Sequence, residues 1–97
     1  MNDGTYNTKD EPINYENGYQ VGLWDKPIKG DNIEDLIASI KRNWRGDYGI
    51  WTDTNTGDLF IEPCVWVKDE AEAASLAVSY NQRAIWSWTF MKEITIN

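Results

Sequence analysis

The chain contains no histidine in its 97 residues and a single cysteine, Cys64. Those two shortages exclude a good deal. Histidine is the commonest acid or base near neutral pH, and zinc sites are built from histidine or several cysteines. Neither set is available. One thiol cannot close an intrachain disulfide, so the expected compartment is a reducing cytoplasm. Positive charge is scarce too: nine Lys and Arg against sixteen Asp and Glu leave a formal net charge of −7. Such a balance repels both the phosphate backbone of nucleic acid and an anionic membrane. Nor is there an apolar stretch near the roughly 20 residues that a spanning helix needs. The opening MNDGTY lacks the basic start and apolar middle of a signal peptide.

What the chain does have is tryptophan: six residues of it, within an aromatic share of 13%. Aromatic side chains supply core and contact area, and this much of them is incompatible with disorder throughout. An aromatic-rich, acidic chain without histidine is expected to present a binding surface rather than a reaction centre. The reading is therefore non-enzymatic, with no catalytic residue, no cofactor and no metal ligand assigned. A chain of this length makes one domain at most.

Residues 1–17, MNDGTYNTKDEPINYEN, carry no aliphatic side chain between Met1 and Ile13 and have no period, so they read as a flexible N-terminal arm. Tyr6 and Tyr15 are its only apparent anchors. Residues 18–97 read as a single α+β domain. YQVGLW, 19–24, alternates as a strand does, and DKPIKG, 25–30, is a loop. Asp31 is expected to cap a first helix, with Glu34 completing an acidic capping box. Ile33, Leu36, Ile37, Ile40 and Trp44 then form one apolar stripe. Lys41, Arg42 and Arg45 gather as a basic patch near its end, and Gly46 is placed to stop it.

YGIWT (48–52) and LFIEPCVWV (59–67) read as two strands joined by the turn 53–58. Pro63 calls for a bulge or an edge position, because it has no N–H to give a ladder. Asp69, with Glu72, caps a second helix whose inner face is Ala73, Leu76, Ala77 and Tyr80. AIWSWT, 84–89, is a further strand, and 90–96 a short final hairpin. The order β-α-β-β-α-β predicts a ferredoxin-like, split arrangement: one antiparallel sheet with two helices on one face. Those helices would cover the face of Ile50 and Ile85.

The turn DTNTGD, 53–58, superficially resembles a calcium loop. It fails the test, since glycine falls at the fifth position rather than the sixth and Cys64 stands where glutamate is needed. Asp53, Asp58 and Glu62 are close enough in sequence to suggest a glycosidase pair, but an exposed hairpin carries such residues equally well. The segment 47–72 is dense in acid. Asp53, Asp58, Glu62, Asp69, Glu70 and Glu72 make a candidate partner-binding face, with Trp51 and Trp66 beside it. That face is either a solvated surface or one that imitates phosphate. Trp86 and Trp88, two apart on a strand, share one side of the sheet. Together with Trp51 and Trp66 they offer an alternative: a stacking platform for a carbohydrate or other small ligand. Most tryptophans in proteins are nonetheless well buried.

Three pieces of the chain carry a family resemblance: YGIWTDTNTG (48–57), VWVKDEAEA (65–73), and NQRAIW (81–86) followed by KEI (92–94). In this order they resemble a recurrent class of small proteins encoded by phages and other mobile elements. The resemblance carries no site residue with it. It implies a context in which small acidic proteins occupy host defence proteins, as anti-CRISPR and anti-restriction proteins do. The function it implies is inhibition of a host nucleic-acid-handling protein through that protein's basic surface, with the acidic face acting as a DNA mimic. Direct contact with nucleic acid or membrane is not expected, and the oligomeric state stays open.

Overall fold

A computed structural model of the chain, in which residues 2–96 are described, contains eight strands and two helices. They are β1 (Gly4–Tyr6), β2 (Pro12–Ile13), β3 (Tyr19–Gly22), β4 (Ile28–Gly30), α1 (Ile33–Lys41), β5 (Tyr48–Thr52), β6 (Leu59–Val67), α2 (Glu70–Ser79), β7 (Ala84–Ser87) and β8 (Lys92–Thr95). Every strand pairing is antiparallel, and the ladder path runs β2-β1-β5-β6-β3-β7-β8, with β4 also on β6. The class is α+β. The expected four-strand sheet is corrected to one of eight, because short segments without apolar alternation also find backbone partners.

The chain divides into two compact units. The first comprises Met1–Ile13 and Lys26–Pro63, the second Asn14–Asp25 and Cys64–Asn97. This division does not follow the expected boundary at residue 17. The segment read as an arm carries β1, which pairs with β5, and β2, which pairs with β1. Thr5 and Tyr6 are buried in the first unit. The tyrosine expected to act as a pin is core.

In the first unit Leu36 and Ile40 are buried on α1, with Tyr48, Ile50 and Ile61 on the strands. The helix begins one residue later than expected: Asn32, not Asp31, is the N-cap, and its side chain accepts the N–H of Asp35. It also ends earlier. Lys41 is the last helical residue, and Trp44 and Gly46 lie beyond it. The former loop 25–30 contributes β4, pairing Ile28 with Ile61.

Pro63 needs no bulge. The register with β5 runs unbroken to the pair Tyr48–Pro63, the last of that ladder. On the other edge of β6, pairing with β4 stops at Ile61 and pairing with β3 starts at Cys64. Residues 62 and 63 thus have no strand partner on that edge, and a missing N–H there costs no ladder bond.

The second unit is built on Val21, Val67, Ala73, Ala77 and Ile85, with Tyr19, Val65, Leu76, Ile94 and Ile96 packed against them. Asp69 caps α2 as its sequence suggests, accepting the N–H of Glu72 at 2.9 Å. At the other end Asn81 takes a left-handed conformation, φ 55°. The N–H of Asn81 donates to the Val78 carbonyl and that of Gln82 to the Ala77 carbonyl, which closes the helix. Tyr80, placed by its spacing on the inner face, is instead 42% exposed. The break at Asn81 leaves it on the last, unwinding turn.

Candidate functional site

The eight residues singled out by sequence fall in both units: Trp51, Asp53, Asp58 and Glu62 in the first, Trp66, Asp69, Glu70 and Glu72 in the second. In the first, Asp53 Oδ1 accepts the N–H groups of Asn55 (2.8 Å) and Thr56 (3.3 Å), and its carbonyl accepts the N–H of Gly57. Asp53 therefore organises the turn, as short acidic side chains do. Asp58 forms an ion pair with Lys29 at 3.2 Å. A hydrogen bond involving Thr56, reinforced by Lys29, holds its carboxyl below the ordinary value. Glu62 is only partly exposed, and its side chain takes part in no hydrogen bond or ion pair. Burial pushes its carboxyl up to about 7. That disfavours the charged form and makes it a poor phosphate mimic.

Of the acids in the second unit, Asp69 is engaged as the helix cap. Glu70 and Glu72 are exposed on the first turn of α2. Burial first, and Glu70 second, raise the Tyr19 phenol above its usual value. Among the described residues no group of three or more Cys, Asp or Glu is arranged to hold a metal ion. No helix among them is long and apolar enough to cross a membrane.

Most of the tryptophans have an aromatic neighbour. Trp51 stacks on Phe60, its cross-strand partner, with centroids 5.4 Å apart. In the second unit Tyr15 lies on Trp66 at 5.5 Å and presents an edge contact to Trp88 at 5.7 Å. Trp88 meets Trp86 edge-on at 6.2 Å. These are the offset and T-shaped arrangements that aromatic quadrupoles favour. The indole N–H of Trp66 donates to the Asn17 carbonyl at 2.7 Å, and that of Trp88 to Gln20 Oε1 at 3.2 Å. Trp88 is buried. Gly18 explains part of this packing: a Cβ there would fall inside the indole of Trp66. The layer Trp66–Tyr15–Trp88–Trp86 is thus largely in contact with itself.

Sequence reasoning missed a polar network in the first unit. The Tyr48 hydroxyl donates to Asp10 Oδ1 at 2.6 Å, and Lys41 Nζ approaches the same oxygen at 2.7 Å. Lys41 and Tyr48 hold the Asp10 carboxyl below its ordinary value, while burial and Asp10 itself push the Tyr48 phenol well up. Tyr48 also stacks on Tyr6 at 5.7 Å. No local pattern announces this network, since Asp10 and Tyr48 are 38 positions apart. Compared with family models, with curated proteins and with solved structures, the chain shows no significant match to any.

Proposed function

We propose that the chain is a non-enzymatic, acidic binding protein of the mobile-element type. It occupies the basic, nucleic-acid-binding surface of a host defence protein in the cytoplasm. One observation carries the reading: Glu70 and Glu72 stand exposed on the first turn of α2, and neither joins an ion pair. Carboxylates without a cationic partner steer one in and give up little hydration until it arrives. Of the acids expected to form the face, Glu72 fits this role best and Glu70 next, its carboxylate being hydrogen-bonded with Tyr19, while Asp53, Asp58 and Asp69 are engaged within the fold and burial disfavours the charge of Glu62.

The tryptophan platform draws less support, because Tyr15 already lies on Trp66 and Trp88 is buried. A ferredoxin-like core with four added strands remains our reading of the fold, supported by the chain order β3-α1-β5-β6-α2-β7.

The test keeps Asp53 and Asp69, whose side chains hold the turn and the helix. The chain is used to capture proteins from nuclease-treated host lysate, and a duplex oligonucleotide then competes for the captured protein. Competition is expected, as is a loss of about tenfold in affinity for the variant Glu70→Gln, Glu72→Gln. Capture that DNA does not displace, or that the neutral variant retains in full, overturns the reading.

A further inference from the structure

The basic patch at the end of α1 is the one sequence feature that the acidic reading leaves unused, and it lines a cavity. Thr8, Lys41, Trp44, Arg45 and Gly46 enclose an open pocket of about 220 Å³ in the first unit. Three features make it a built site. The first is a fixed aromatic wall. The indole N–H of Trp44 donates to the Asp47 carbonyl at 2.6 Å, and a Cβ on Gly46 would stand 2.5 Å from Trp44 Cζ2. Gly46 is therefore what lets the indole lie against the backbone.

The second feature is charge. Asp10 takes up Lys41, whose Nζ also reaches the Thr8 carbonyl at 3.4 Å. Arg45 is exposed and its side chain joins no hydrogen bond or ion pair; the side chain of Arg42, which caps α1, joins none either. Allowing for Asp10, the site keeps an excess of positive charge on a protein whose net charge is −7. The third feature is size. A cavity of ~150 Å³ suffices for benzene, so this one is large enough for a single ring, and Arg45 is among the residues that line it.

We propose that this pocket binds a small aromatic anion: a flat ring carrying a phosphate or carboxylate. The ring stacks on Trp44 and the anionic group is held by the planar fork of Arg45, with Lys41 as a second, partly neutralised cation. A guanidinium recognises both acids bidentately, which is why the ligand class is set by ring plus anion rather than by phosphate alone. The site is independent of the acidic surface, and either can fail without the other.

Phenyl phosphate is the probe, with inorganic phosphate and phenol as its two halves. The readout is the indole N–H resonance of Trp44, assigned by its disappearance in Trp44→Phe. Saturable movement of that resonance with phenyl phosphate is expected, with each half at least about tenfold weaker. Arg45→Gln changes an exposed side chain and should weaken phenyl phosphate about tenfold without altering the fold. The proposal is overturned if ~10 mM phenyl phosphate leaves the Trp44 resonance in place. It also fails if Arg45→Gln binds as well as the native chain, or if inorganic phosphate binds as tightly as the aryl ester. The last result would reduce the pocket to a patch of charge.

Discussion

The two units hold themselves together with different chemistry. In the second, the hydrophobic core cluster is valine, isoleucine and alanine, with Cys64, Ser87 and Trp88 also buried and the aromatic rings layered in contact with one another. In the first, burial of Leu36, Ile40, Ile50 and Ile61 is joined to a polar device in which Tyr6 stacks on Tyr48, Tyr48 donates to Asp10 and Asp10 pairs with Lys41. Apolar packing is indifferent to pH, whereas a carboxylate shared by a phenol and an ammonium is not. The comparison teaches that residues 2–13 are held less by hydrophobic content than by partners supplied from elsewhere in their unit.

The hardest blow to that comparison is deletion of residues 2–13. It strips the outer ladder from β5 and removes Tyr6 and Asp10 from Tyr48. Amide exchange should show protection at Tyr48–Thr52 falling to that of an open strand; protection kept at the native level would return these residues to the status of an arm. Next come Ile40→Ala and Ile85→Ala, one per unit. Both remove a fully packed isoleucine, so each should cost about 2–5 kcal/mol in denaturant melts. A cost below 1 kcal/mol in either would mean that its unit does not rest on an aliphatic core.

Glu62 sharpens the contrast from the other direction. Its folded carboxyl sits near 7 against an ordinary value of 4.5, so its folding is unpenalised below about pH 4 and penalised progressively as pH rises through 7. Glu62→Gln should therefore gain about 1–3 kcal/mol at pH 8 and nothing at pH 4. A gain independent of pH would contradict the burial of the charge. Smallest is Tyr48→Phe, which deletes one hydrogen bond to a carboxylate and should cost about 1–2 kcal/mol at pH 7. Asp10 has its pKa depressed when folded. Its contribution is complete above the unfolded value near 3.8 and is lost as pH falls through the lower folded value. Part of the Tyr48→Phe deficit should accordingly shrink as pH falls below the ordinary carboxylate range, in acid titrations followed by circular dichroism.

Local signals in the sequence were sufficient wherever structure is locally determined. Asp69 with Glu72 and the turn at Asp53 are visible within a few residues and are found as expected, and of the α1 stripe Leu36 and Ile40 are buried. The first helix was misread by one residue at its start because Asp31 and Asn32 are both good caps, and composition does not choose between them. It was extended too far because Trp44 continues the helical spacing after the hydrogen-bonded turn has ended. β1, β2 and β4 are two or three residues long and show no alternation; their pairing depends on partners far along the chain. The candidate acids were legible as acids but not as engaged ones, for the Lys29 that neutralises Asp58 lies 29 positions before it. The pocket around Trp44 was visible only as a basic patch, because nothing in composition says that Thr8 closes it.

Gly18 with Trp66 and Gly46 with Trp44 have a consequence for how this chain can change over generations. Each indole occupies the space in which its glycine would carry a side chain. A mutation at Gly46 is harmful while Trp44 stays, and becomes tolerable only after the tryptophan has been replaced by something smaller. Gly46 and Trp44 are thus bound by sign epistasis, with one permitted order of steps. Drift through that pair must begin at tryptophan, and its first step forfeits the indole's hydrogen bond to Asp47. Gly18 is held a second way: its φ of 88° strains any side chain whatever stands at position 66. Divergent descendants should therefore keep or lose Gly46 and Trp44 together, and should keep Gly18 even where Trp66 has changed.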